Sequence, residues 1–167
     1  MTDKLKKPIQ ILLIGHYSIV HYGLEMLINK QKPRMEVIGN FPNCSNILPV
    51  LEKLSPDVIL LGMNLNSEKE LEIILQLIVL SKANVLILKW SQDSKIYDKA
   101  ILAGAKGIIE KEAPLETILK AIEKVYEGEL WLNQASIKRL INGLSQQSSE
   151  KNNSQEKDGI HKLTPRE

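Results

Sequence analysis

The sequence predicts an α/β fold: a doubly wound, five-stranded parallel sheet built from successive βα units, followed by a further helix. Three observations predict it. Short apolar runs rich in β-branched residues, Ile9–Ile14, Met35–Gly39, Val58–Leu61, Asn84–Leu88 and Gly107–Ile109, begin at intervals of about 20 to 30 residues, the size of a βα unit. The segments between them carry apolar residues at helical spacing. The runs are apolar throughout rather than alternating, as in parallel strands covered by helices on both faces and joined by right-handed crossovers.

The first run, in "IQILLIGHYSIVHYGL", leads into a helix with Ile19, Val20, Leu24, Leu27 and Ile28 expected on one face. After the second run comes "NCSNILPVLEKL", where Pro49 lacks a donor and crowds the preceding turn, so this helix should be kinked or delayed. The third run lies in "PDVILLGMNLN", ends at Gly62, and is followed by a stripe of Leu71, Ile74, Leu75 and Ile78. The fourth run ends on Lys89 and Trp90; the fifth leads to Lys111 and a stripe of Leu115, Ile118, Leu119, Ile122 and Val125. These units form a domain over residues 1–128. A flanking segment, 129–144, holds "ELWLN" and an amphipathic helix from about Asn133 to Leu144. Ser145 to Gly159 contains no apolar residue, so 145–162 is expected to be a flexible, solvated linker. The closing "LTPRE", 163–167, has the form of a helix start, with Thr164 as N-cap, Pro165 at the first helical position and Glu167 closing a capping box. A second domain is expected to begin there.

Composition bounds the function. The chain has 167 residues, is 43% hydrophobic and 25% charged, and carries a net charge of +2, too small to argue by itself for nucleic acid or membrane. Pro8 to Leu24 is free of charged side chains but holds a proline, a glutamine, histidines and tyrosines, and is no membrane span. The N-terminal "MTDKLKK" has no apolar signal core behind it. The single cysteine, Cys44, has no partner for an internal disulfide and no ligand set around it, which fits a reducing cytoplasm and a small, partly buried residue.

The pieces "IQILLIGHYSIVHYGL", "PDVILLGMNLN", "AGAKGIIEK" and "LTPRE", in this order and spacing, resemble the receiver domain of the NarL/FixJ family of two-component response regulators, over about residues 9–144, with the opening of a LuxR-type helix-turn-helix module at the end. The resemblance implies a flavodoxin-like (βα)5 receiver fold. It also implies a Mg2+ site from two acidic residues after the first strand, an acceptor aspartate at the end of the third, and a hydroxyl residue at the end of the fourth. This sequence departs from each: Gly15 and His16 stand for the acidic pair, Gly62 for the acceptor and Lys89 for the hydroxyl residue, while only the lysine after the fifth strand matches, as Lys111.

Phosphoryl transfer to a protein needs an oxygen nucleophile, which Gly62 lacks. Mg2+ is held mostly through carboxylates, which Gly15 and His16 do not offer. Asp57 opens the strand that Gly62 closes and lies about 16 Å away, so it is no substitute acceptor. No metal or cofactor is expected. Gly15 and Gly62 are either relaxed loop positions or points of close backbone approach, and Trp90 and Trp131 are read as packing residues. Lys89 and Lys111 in one cleft repel, and either nearby carboxylates such as Glu110, Glu112 or Asp93 or a bound anion relieves this.

A mononucleotide-binding enzyme would want a glycine-rich or Ser/Thr-rich loop that "GHYSIV" does not supply, and a cobalamin module a pattern that Ile14-Gly15-His16 breaks. The expectation is therefore a non-enzymatic, cytoplasmic, phosphorylation-independent response regulator that controls a C-terminal DNA-binding domain in transcription. The alternatives are a ligand- or anion-sensing receiver, or a pure dimerisation or protein-interaction module. Partners are expected to be a second copy, DNA through the C-terminal domain, and a regulatory protein or a small anion, with no membrane. The expected dimer surface is Leu115, Leu119, Ile122 and Tyr126, together with Ile137–Leu144.

Overall fold

A computed structural model describes residues 7–15, 19–45, 47–62, 64, 67–90 and 92–162, with side chains as far as 150. The strands are β1 (Ile9–Gly15), β2 (Met35–Phe41), β3 (Val58–Gly62), β4 (Asn84–Lys89) and β5 (Gly107–Glu110). They alternate with α1 (Ile19–Asn29), α2 (Leu48–Leu54), α3 (Glu68–Leu80), α4 (Ser94–Ala103) and α5 (Leu115–Tyr126), and α6 (Gln134–Lys162) follows. All strand pairs are parallel, in the order β2-β1-β3-β4-β5.

The continuous apolarity of the strands is explained by two cores, one on each sheet face. Ile9, Ile11 and Leu13 of β1, with Leu60 and Leu88, pack against Leu24 and Ile28 of α1 and the apolar face of α5. Leu12 and Ile14, with Ile59, Leu61 and Ile87, pack on the other face against Leu51 of α2, Ile74 and Leu77 of α3, and Tyr97 and Ala100 of α4. Strand side chains alternate between faces, so each strand must be apolar at every position. The order turns back at β1, which pairs with both β2 and β3, and this opens a crevice at the carboxyl ends of β1 and β3.

Local chemistry starts and stops the helices. Pro49 sits in the first turn of α2, where a missing donor costs nothing, so it delays the helix rather than kinking it. The Ser67 hydroxyl accepts from the Glu70 amide (3.3 Å) to cap α3, and the Asp93 carboxylate accepts from the Lys95 amide (3.0 Å) to cap α4. At the far end of the sheet, the Asp57 carboxylate accepts the Gln10 amide (2.9 Å) and so ties the start of β3 to β1.

Several expectations are corrected. In α1 the buried face runs through His21, Leu24 and Ile28, while Ile19 is 88% exposed and Val20 also faces solvent. In α5, Leu119 and Ile122 are buried against the sheet, Leu115 is half-buried against the same core, and of the dimer residues expected on this helix Tyr126 alone is exposed. The first compact unit runs to Leu132 rather than ending at Gly128, because Trp131 bridges the edge of β5: its amide donates to the Lys106 carbonyl (2.9 Å), and its carbonyl accepts from Ile108 (3.0 Å).

The second unit, described by itself, is α6. It does not end at Leu144 where the linker was expected, but continues to Lys162. The segment contains no proline before Pro165 and is rich in Gln, Glu and Lys, which favour helix, and the Ser145, Ser148 and Ser149 hydroxyls donate to carbonyls one turn back. Residues 145–150 of this segment are all exposed. Residues 163–167, with the capping pattern of "LTPRE", lie outside the described residues. No helix among the described residues is long and apolar enough to cross a membrane.

Candidate functional site

The crevice at the topological switch is where an open α/β sheet places its ligands, and β1 and β3 meet it with a registered pair of glycines, Gly15 opposite Gly62. The approach at Gly15 is close: a Cβ there would lie 2.5 Å from the Gly62 carbonyl oxygen and 3.1 Å from Cε1 of His21. Of the two readings open for Gly15, close backbone approach is the one the geometry supports. Gly62 is different, because its Cβ would meet the Trp90 indole nitrogen at 3.6 Å and His21 Nδ1 at 3.7 Å, ordinary contact distances. Where the resemblance implies a carboxylate, the neighbours of Gly62 are thus an imidazole from α1 and an indole from the residue after β4.

His21 is the site residue that sequence reasoning missed. It sits three and seven residues before Leu24 and Ile28, on the helical stripe that those residues define, and this spacing was the available signal. Burial lowers its pKa from the ordinary value of 6.5, against the Asn40 side chain and the Glu25 carboxylate, which both act to raise it. The Asn40 amide in turn donates to Glu25 Oε2 (2.6 Å). His16 lies outside the described residues. Cys44 is buried and its thiol is pushed up to about 11, so it is inert as a nucleophile at neutral pH.

Both expected lysines have partners within the chain. Lys89, the last residue of β4, is registered against Glu110 at the end of β5, and its ammonium lies 3.6 Å from the Glu110 carboxylate. The same ammonium is 5.8 Å from the ring centroid of Tyr97, a buried α4 residue whose hydroxyl accepts from the Trp90 amide (3.1 Å). Lys111 lies 3.7 Å from the Glu112 carboxylate and places its ammonium 4.7 Å above the Trp90 ring. Trp90 therefore packs against the site rather than serving as a remote core residue, and Trp131 packs on the core beside β5. The described residues do not fit Mg2+: the ends of β1 and β3 offer glycines, the Glu110 and Glu112 carboxylates are paired with lysines, and Glu25 accepts from Asn40. Among the described residues no group of three or more His, Cys, Asp or Glu could hold a metal ion.

No protein-family model matches the chain. Among curated proteins it is 29% identical over 163 residues to the nitrate/nitrite response regulator protein NarL of Escherichia coli strain K12, covering 97% of this chain and 73% of that protein. It is 26% identical over 153 residues to the transcriptional regulatory protein DegU of Brevibacillus brevis, covering 87% of this chain and 64% of that protein, so the match spans less than two thirds of DegU. Among solved structures, a LuxR-family two-component response regulator from Aurantimonas sp. SI85-9A1 superposes with a TM-score of 0.69 at 21% identity, over 83% of this chain and 99% of that one. At that identity the superposition speaks for the fold: the five-stranded flavodoxin-like receiver. With that fold and with similarity to response regulators along nearly the whole sequence, the chain is a receiver of the NarL type.

Proposed function

We propose that this receiver works without phosphorylation, as the non-enzymatic regulatory part of an atypical response regulator that controls a C-terminal DNA-binding domain in transcription. The observation that carries the reading is the glycine pair: the acceptor position has no nucleophile, and the facing position has no room for a carboxylate, since even a Cβ at Gly15 would meet the Gly62 carbonyl at 2.5 Å. The relatives support the output half, being named as response regulators and a transcriptional regulatory protein. Incubated with a small phosphodonor and Mg2+, the chain should gain no mass in intact mass spectrometry, and beryllofluoride should leave its spectra unchanged. A stable adduct of one phosphoryl group would sink the proposal.

Homodimerisation belongs to the same reading, with its surface revised. The exposed apolar residues of α6, Ile137, Ile141 and Leu144, recur at helical spacing and form a short seam of the kind that pairs with a second helix. Sedimentation should show a dimer at high micromolar concentration without any phosphodonor, and Ile141→Glu with Leu144→Glu should give a folded monomer. A wild-type monomer at that concentration would remove this part.

A further inference from the structure

We infer that Trp90 is the internal substitute for the phosphorylated acceptor: its indole holds Lys111 after β5 in place, which steadies the backbone amide that Trp90 donates to Tyr97 of α4, so that β4, α4 and β5 keep a single arrangement that needs no phosphoryl group. The inference rests on the phosphorylation-independent reading above and deepens it. In an ordinary receiver, an ammonium beside an acyl phosphate is held by charge-assisted contacts to oxygen that come and go with the modification. Here Gly62 offers no carboxylate, and the Lys111 ammonium lies 4.7 Å above the Trp90 ring, with the Glu112 carboxylate 3.7 Å away on its exposed side chain. A quadrupole attracts a cation without needing a counter-charge, and this attraction is permanent.

Trp90 is placed to do this by contacts on three sides. Its backbone amide donates to the hydroxyl of Tyr97, which is 1% exposed, so α4 is pinned to the end of β4. Its indole nitrogen is buried beside Gly62, 3.6 Å from where a Cβ would stand, with no acceptor among the described residues. Next to it, Lys89 and Glu110 join the ends of β4 and β5 across the register, and Lys89 also faces the Tyr97 ring. Lys89, Trp90, Tyr97, Glu110 and Lys111 thus connect β4, α4 and β5 through contacts that involve no phosphoryl group.

The test uses the whole chain and two readouts. In wild type, ring-current shielding should move the Lys111 ε-methylene protons upfield of those of the other lysines. Trp90→Leu should return them to the common position, and Trp90→Phe, with a smaller ring, should keep part of the shift. Amides of Ser94–Ala103 should exchange with solvent severalfold faster in Trp90→Leu than in wild type. Lys111→Met, which removes the cation and leaves the core alone, should also speed that exchange, so the idea stays open to refutation if Trp90→Leu fails to fold. An unshifted Lys111 in wild type, or wild-type α4 protection in Lys111→Met, would overturn the inference. Neither result bears on phosphorylation: a mass gain with phosphodonor would defeat the functional reading while the shifted Lys111 signal stood, and an unshifted signal without mass gain would defeat only the Trp90 tie.

Discussion

Gly15→Ala should destabilise the fold by about 1–3 kcal/mol, the usual cost of forcing an extra carbon into packed structure, and Gly15→Asp by more. The Cβ would stand 2.5 Å from a backbone carbonyl oxygen, that of Gly62, and 3.0 Å from its carbonyl carbon. A flexible side chain could swing away from such a contact, but here the neighbour is the partner strand, held in register from Ile11–Val58 to Gly15–Gly62. Relief therefore requires the ends of β1 and β3 to part. Aspartate adds a carboxylate facing a buried imidazole and an indole. Gly62→Ala is the control: its Cβ would meet neighbours at 3.6 to 3.7 Å, so its midpoint in urea should stay close to wild type. An unchanged midpoint for Gly15→Ala would show that the strand ends are not in contact. It follows that the acidic cleft of an ordinary receiver cannot be rebuilt one residue at a time: Gly62→Asp, Gly15→Asp and His16→Asp together must first separate two strands.

The strands were legible because both sheet faces are covered, which leaves apolarity at every position as a strong signal. Helix phase was less legible. In α1 most positions from Ile19 to Ile28 are apolar or aromatic, so more than one stripe fits, and the stripe that packs is the one containing a histidine. The site was half legible. That glycines stand at Gly62 and Gly15, where the resemblance implies carboxylates, can be read residue by residue, but what surrounds them comes from elements distant in sequence. The pairing of Lys89 with Glu110 depends on the register of β4 against β5, and no local pattern encodes it. The polar run after Leu144 fits a solvated helix as well as a coil, since both leave the same side chains in water. Serine hydroxyls that bond backwards along α6, with no interrupting proline, accompany the helix found there.

Leu119→Glu should unfold the receiver rather than dissociate it. A stripe of apolar residues along α5 invites the reading that it is wider than a sheet-packing face needs, and Leu119 and Ile122 were expected at a dimer surface on that ground. The structure gives the width another use: Ile118, Leu119, Ala121, Ile122 and Val125 are all at most 7% exposed, and they pack with Leu24 and Ile28 of α1 on one core over β1, β3 and β4. Truncating a buried leucine or isoleucine to alanine costs about 2–5 kcal/mol, and a buried unpaired carboxylate costs more. Against a total stability of about 5–15 kcal/mol for a domain of this kind, one such substitution removes most of the margin. Tyr126, on the same helix and 45% exposed, tests the contrast: Tyr126→Glu should keep the wild-type urea midpoint within about 0.5 kcal/mol. Circular dichroism across a urea series decides the matter. If Leu119→Glu kept the wild-type midpoint and changed only the sedimentation coefficient, that face of α5 would be an interface between copies, and the packing of α5 against the sheet would have to be wrong.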